Sequence, residues 1–331
     1  MNTMRTHLET AAARDLAERA LRGIGYLTDE ARTIADHVLD AALCGYEYSG
    51  LPKILNAAES RKWLNPRQAI SVIRETPVST LYDGGNNIGM LAMQRVTETA
   101  IGKAGAQGFA LIGLTNSWMS GRSAWYVEQV ARAGLIGIHS LSSARHVAPP
   151  GGMRAMLGTN PLAFGFPMGE DPLLIDVGTA AFMSTDLSLR ERTGAPLPEG
   201  VAIDEQGQAT TNPAAARRGA LLPFGGHKGY ALSVAIQALG VLAGSALNAN
   251  KDYGYLMIAI RPDLLQPLDE FRRGLIDEIA RIKATPRQAG VEEIRIPSEQ
   301  AFRKRRANRI AGISIDTPIY QKLLALAAKA A

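Results

Sequence analysis

The stretch "LLPFGGHKGYALSVAIQALGVLAGSALN", Leu221–Asn248, decides what kind of fold this chain can adopt. From Gly229 to Leu247 it runs nineteen residues without a charge, the length of a membrane span. Ser233, Gln237 and Ser245, with Gly229, Gly240 and Gly244, dilute that run, and no second segment resembles it. The expected structure is therefore a helix buried on all sides of a globular core, not a membrane anchor. Directly before it stand Gly225, Gly226, His227 and Lys228. Glycine-opened backbone, a helix N-terminus and a cation together suit a phosphate.

Composition agrees with a globular class: 46% of the 331 residues are hydrophobic and 20% charged. Such a length accommodates one large or roughly two to three ordinary domains. The net charge of +5 is concentrated late, because the segment from Lys251 onward holds 15 Lys/Arg against 10 Asp/Glu. Much of that excess is the run "RKRR", Arg303–Arg306. One short cluster without interleaved aromatics or a recognisable motif argues against a nucleic-acid partner. A solvated helix face or an anionic cofactor contact is the better reading. Cys44 stands alone, which excludes an internal disulfide and a cysteine zinc site and fits a reducing cytoplasm. The five histidines are scattered without metal-ligand spacing, so no metal is expected. The charged, amphipathic N-terminus lacks a signal-peptide core.

Along the chain, residues 10–44 read as two helices, with Thr28 starting the second. "NAAESRKWLNP" continues as a shorter helix stopped at Asn65-Pro66. "ISVIRETPVSTLYDGGNNIG" alternates apolar and polar residues and predicts strands that turn at Asp83-Gly84-Gly85. Helix and strand patterns then alternate through "LAMQRVTETAIGKAGAQG", "FALIGLTNS", "AWYVEQVARAG" and "LIGIHSLSS". "LAFGFPM", "LLIDVGTA" and "YGYLMIAIRP" add strands, and helical patterns close the chain. The whole reads as α+β, with a sheet-rich middle and helical ends.

No P-loop is present, and no G-x-G-x-x-G follows the first strand, so the usual dinucleotide signature is missing. The dense glycine segments are instead "APPGGMRAMLGTNPLAFGFP", Ala148–Pro167, and "PFGGHKG", Pro223–Gly229. With "LLIDVGTA", "LPEGVAIDEQGQATTNP" and "RIPSEQ", they follow one another in an order that resembles the type-2 malate/L-lactate dehydrogenase family. The resemblance covers nearly the whole chain. It implies an NAD(P)-dependent oxidoreductase that is not a Rossmann protein and is a homodimer. It also implies three parts: an N-terminal helical domain (1–80), a cofactor domain on a mostly antiparallel sheet (81–255) and a helical C-terminal part (256–331). By the same resemblance His227, Lys228 and Gly229 hold the cofactor, with Gly158 and Thr159 of "LGTN". Asp176 and Thr179 are expected beside the nicotinamide or its ribose, and Pro297, Ser298 and Glu299 near the other end. The basic run after them leans toward NADPH over NADH, through attraction to a 2′-phosphate.

Where the family carries "D-S-H-G-x-x-R", with a histidine proton donor and a carboxylate-binding arginine, this chain has "EYSGLPK", Glu47–Lys53. Ser49 replaces the histidine and Lys53 the arginine. Two further family histidines fall on Ser120 and Ser184. The segments "PFGGHKG" and "TDLSLRERTG" look most like Δ1-piperideine-2-carboxylate/Δ1-pyrroline-2-carboxylate reductases, whose proposed proton-donating aspartate matches Asp186. Asp186 is otherwise a helix-start carboxylate. Reduction of a ketone needs a proton from a group titrating near neutrality, whereas an imine arrives already protonated. The sequence therefore favours an imine reductase with Asp186 as relay, Ser49 as hydrogen-bond donor and Lys53 on the substrate carboxylate. Tyr48 is either packing or a substitute donor. The rivals are a 2-hydroxy-acid/2-keto-acid dehydrogenase, and a family member that has lost catalysis and acts as a binding protein.

Overall fold

A computed structural model describes residues 4–247 and 252–330. The chain opens with β1 (Arg5–Leu8), α1 (Thr10–Ile24), α2 (Thr28–Leu43) and the short α3 (Pro52–Ala58). Next come β2 (Ser71–Thr76), β3 (Ser79–Ile88), α4 (Gly89–Gln107), β4 (Phe109–Trp118), α5 (Ala124–Arg132) and β5 (Ile136–Ser142). The middle continues with β6 (Leu162–Phe166), β7 (Leu173–Val177), α6 (Ser184–Thr193), β8 (Ala202–Ile203), α7 (Pro213–Arg218) and β9 (Ala220–Leu221). The long apolar helix is α8 (His227–Leu242), followed by β10 (Gly254–Ile260), α9 (Leu268–Lys283), α10 (Glu299–Ala311), β11 (Ile313–Asp316) and α11 (Thr317–Ala327).

Seven strands form one sheet in the order β2-β3-β4-β10-β5-β6-β7. Only β3 and β4 pair in parallel, joined across the sheet by α4, and the other pairings are antiparallel. The expected α+β fold with a mostly antiparallel sheet is the one observed. One core joins α1, α2, α3 and α11, where Leu21, Ile34, Ile54 and Leu323 are buried. A second lies between the sheet and helices α4 and α5, around Met93, Ile112, Tyr126 and Tyr255. β1 pairs with β11, so the two ends of the described chain are stitched beside the helical core.

The helix expected over "NAAESRKWLNP" ends at Ala58, and Arg61–Leu64 form a separate 3₁₀ turn capped by Ser60. Two further expectations change. The hairpin turn falls at Pro77-Val78, between Thr76 and its partner Ser79, and Gly84-Gly85 instead form a bulge inside β3. There Asp83 Oδ1 accepts from the Gly85 N–H at 2.8 Å and from Asn116 Nδ2 at 2.7 Å, and Gly85 takes φ +60°. A carboxylate that satisfies backbone two residues on can hold a bulge as readily as a turn.

The other concerns α8, which is not buried on all sides. Its inward stripe is Gly229, Ser233, Ile236 and Gly240, and Leu232, Val234, Leu239, Val241 and Leu242 are exposed. Small residues face the sheet because the backbones nearly touch: a Cβ on Gly240 would lie 2.0 Å from Ser142 Oγ. Among the described residues no helix is long and apolar enough to cross a membrane.

Most of the basic run is the solvated helix face expected: Arg303, Lys304 and Arg306 are exposed, and only Arg305 is buried. Arg303 pairs with Glu293 at 2.6 Å and with Glu299 at 2.9 Å, and Arg306 with Asp171 at 2.7 Å. Arg305 is buried between Asp40 and Glu128, at 2.9 and 2.6 Å, and Asp40 also receives Arg122 at 2.9 Å. This network locks α10 onto α2 and α5.

Candidate active site

A cavity of about 350 Å³ opens where α3, α6 and α7 face the ends of β4 and β5. Ser49, Lys53, Ser120, Thr159, His146, Arg192 and Arg217 are on its walls. A smaller cavity of about 150 Å³ adjoins it, sharing Ser49, Gly121, Pro161 and Met183, and takes in Tyr46, Tyr48, Arg122, Asp176 and Ser298. The "EYSGLPK" segment reaches both. Glu47–Ser49 form one 3₁₀ turn, and Pro52 starts α3, a position where its missing N–H costs nothing. Ser49 thus sits at the junction of the cavities and Lys53 on the wall of the larger.

Lys53 is 4% exposed. Burial drives its pKa down to about 8, and no charge or hydrogen bond among the described residues offsets that. Its neighbours on the cavity wall belong mostly to a polar clamp. Arg192 donates to Asn56 Oδ1 at 2.5 Å and pairs with Glu59 at 2.6 Å; Asn56 is in α3 and Glu59 caps its C-terminus. Arg217 pairs with Glu191 at 2.8 Å and donates to Ser188 Oγ at 2.7 Å. Burial, and then the nearby Arg217, push the His146 pKa down to about 4, so its imidazole is neutral at pH 7. Lining cations therefore outnumber the one lining carboxylate, Glu59. Nothing in the local sequence marked Asn56, Arg192 or Arg217. The one signal was α6 itself, a strongly polar helix whose only buried residue is Leu187.

The smaller cavity is built on the start of α5. Asp176, from β7, accepts the Ala124 N–H at 2.8 Å and so holds the orphan amides of that helix. Burial raises its pKa, opposed by that hydrogen bond and by Arg122. The Arg122 guanidinium lies 5.1 Å over the Tyr46 ring, and its backbone N–H donates to His37 Nε2 at 2.8 Å. Tyr48 is raised to about 12, by burial first and then by Asp176, Tyr46 and Asp186.

The other sequence candidates divide by position. Thr179 donates to the Thr159 carbonyl at 3.1 Å, and a Cβ on Gly229 would lie 2.9 Å from the Thr179 carbonyl, so these three form one packed corner. Gly158 meets Ser143 and Asn160, whose side chains leave no room for a Cβ. Ser298, at φ +64°, lines the smaller cavity, and Pro297 and Glu299 line a third of about 160 Å³ next to Phe302. His227 and Lys228 are exposed on the first turn of α8 and line none of these cavities. Asp186 lines neither main cavity: it is half-buried with Arg190 at 3.7 Å, and burial, with the Glu47 charge, raises its pKa against the pull of Arg190. Among the described residues no three of His, Cys, Asp and Glu gather as a metal site.

A nicotinamide dinucleotide fits these walls. The Ser120 hydroxyl is buried without a partner on the larger cavity, and Tyr46, Tyr48, Arg122, Asp176 and Ser298 give the smaller one flat faces and polar contacts for a ring and a ribose.

Comparison with known proteins points the same way. The L-sulfolactate dehydrogenase of Methanocaldococcus jannaschii is 31% identical over 316 residues, 92% of this chain and 91% of that one. The Delta(1)-pyrroline-2-carboxylate/Delta(1)-piperideine-2-carboxylate reductase of Pseudomonas aeruginosa is 36% identical over 233 residues, 68% of this chain and 70% of that one. The structure of the malate dehydrogenase of Pyrococcus horikoshii superposes with a TM-score of 0.87 at 27% identity, covering 98% of this chain and 96% of that one. A sequence model described as Malate/L-lactate dehydrogenase matches residues 8–324. The chain belongs to the malate/L-lactate dehydrogenase family of oxidoreductases.

Proposed function

We propose that this protein is an NAD(P)-dependent oxidoreductase that interconverts a small 2-keto acid and its 2-hydroxy acid. The observation that carries this reading is the wall of the larger cavity, lined by Lys53, Arg192 and Arg217 with Glu59 as its one lining carboxylate and Glu191 behind Arg217. Such a wall attracts a substrate carboxylate and stabilises the alkoxide that forms when hydride reaches a carbonyl carbon. It opposes a cationic iminium. When bound, a nicotinamide cofactor supplies or accepts the hydride. In this reading Ser49, at the junction of the cavities, donates a hydrogen bond to the reacting oxygen, and the Ser120 hydroxyl contacts the cofactor from the larger cavity.

Reduction of a carboxylate-bearing cyclic imine is the second reading. It is supported by Ser49 in place of the family histidine and by the similarity to the pyrroline- and piperideine-carboxylate reductase. In it Asp186, which lies behind the lining residues Ser184 and Thr185 and acts electrostatically on Tyr48, would relay the proton. An assay of NADH and NADPH oxidation separates the two. Malate-type and pyruvate-type keto acids would be set beside Δ1-piperideine-2-carboxylate and Δ1-pyrroline-2-carboxylate. Faster turnover of keto acids supports the first reading; turnover of imines alone supports the second.

The homodimer belongs to the same proposal. The exposed apolar face of α8 and the amphipathic α9, which has no buried residue, are the surfaces that a second copy would cover.

A further inference from the structure

Reduction of a 2-keto acid creates an alkoxide, and a proton donor must face it. The walls offer few. A serine hydroxyl is too weak an acid, Tyr48 titrates at about 12 on the other cavity, and His146 is already neutral. Burial pushes the Tyr253 hydroxyl, on the larger cavity, far above its ordinary value, and Asp186 lies off both walls. Lys53 remains: 4% exposed and on the wall of the larger cavity.

We propose that Lys53 is the proton donor of the reductive reaction and the proton acceptor of the oxidative one, and that Arg192 anchors the substrate carboxylate. The roles implied by the family motif are thereby exchanged, the arginine position taking over acid–base work and a residue of α6 taking over anion binding. This rests on the keto-acid reading above. The geometry supports it: Lys53 and Asn56 are three residues apart on α3 and share a face, and Arg192 is hydrogen-bonded to Asn56. Lys53, Asn56 and Arg192 all line the larger cavity. A 2-keto acid bound there would present its carboxylate to one cation and its carbonyl oxygen to the other.

The charges around Lys53 keep it fit for proton transfer. Glu59 from the end of α3 is engaged by Arg192, Arg217 from α7 is engaged by Glu191, His146 is neutral, and His37 from α2 is held neutral by burial and by Lys53 itself. Burial brings the ammonium to about 8, close to the operating range of a general acid. In the step, hydride adds to the carbonyl carbon and the C=O π pair moves to oxygen. An N–H bond of the ammonium breaks, an O–H bond forms, and the neutral amine recovers a proton from water at the cavity mouth.

Lys53→Arg and Lys53→Met test the assignment. Arginine keeps the positive charge and any carboxylate contact but cannot give up a proton. For a keto acid that the wild type reduces, Lys53→Arg is expected to hold KM within a few-fold and lose about a hundred- to ten-thousandfold in kcat. Methylamine added to Lys53→Met is expected to restore part of that rate. NAD(P)H fluorescence titration checks that both variants still bind cofactor. Lys53→Arg that keeps kcat within about threefold, or Lys53→Met indifferent to amines while binding cofactor, overturns the proposal. A wild type that turns over only imines removes the keto-acid reading instead, and the Lys53 role falls with it.

Discussion

Arg192 Nη1 donates to Asn56 Oδ1 across 2.5 Å, a bond that ties α6 to α3 and aims the guanidinium at the cavity. The same guanidinium is held from the other side by Glu59. A planar, pre-positioned fork of this kind is suited to a carboxylate. Arg192→Met should raise KM for the keto acid about ten- to a hundredfold, the equivalent of about 1.5–3 kcal/mol for a charged hydrogen bond. kcat should change little, and steady-state kinetics reads both.

Lys53 should weaken the folded protein in proportion to its usefulness. Its pKa falls from 10.5 to about 8 on folding. Each unit is worth about 1.4 kcal/mol, so the buried ammonium costs about 3 kcal/mol at neutral pH. The unfolded chain holds the extra proton between pH 8 and 10.5, so this cost disappears as pH rises through that window. Lys53→Met is therefore expected to melt higher than wild type at pH 7, with the gap closing above pH 10. Thermal denaturation at the two pH values checks it.

The choice of coenzyme should not depend on the basic run. Arg303 and Arg306 are both engaged by carboxylates and line neither of the two main cavities. Arg303→Gln and Arg306→Gln are expected to leave the NADPH-to-NADH ratio of kcat/KM within about twofold, as for other surface pairs. Arg305→Met should instead lower stability by about 1–3 kcal/mol, because it removes one of the two arginines that serve each of the buried carboxylates, leaving Asp40 to Arg122 and Glu128 to Arg132.

The exposed face of α8 gives a prediction about assembly. Val241 and Leu242 are 54% and 62% exposed, on a helix whose inward face is already filled. Leu242→Glu is expected to abolish the proposed self-association, sedimenting as a monomer where the wild type sediments as a dimer, without unfolding the chain.

Much of the architecture was legible in the sequence because period and punctuation carry it: the alternation in Ser79–Ile88, the apolar runs of Phe109–Trp118 and Gly254–Ile260, and the amphipathic first helices all became the elements expected. The orientation of α8 was not legible, since a helix apolar all round gives no moment to read. Only the small residues Gly229, Ser233 and Gly240 betrayed the face that meets the sheet. The site divides in the same way. "EYSGLPK" named Ser49 and Lys53, and both reached the cavity. Asp186 was placed by chain order, but a residue early in a helix points where the helix axis sends it, and α6 turns it toward Arg190. Arg192 and Arg217 could not be found, because their meaning arises only when α6 and α7 close over α3.

The most direct measurement is the pH dependence of kcat/KM for oxidation of the 2-hydroxy acid, with NAD⁺ or NADP⁺. If Lys53 is the proton acceptor, the neutral amine is the active form, and kcat/KM should climb through pH 8 to a plateau. If Lys53 only holds the substrate carboxylate, the charged form is the active one. The rate should then fall across the same window, and that result would contradict the account.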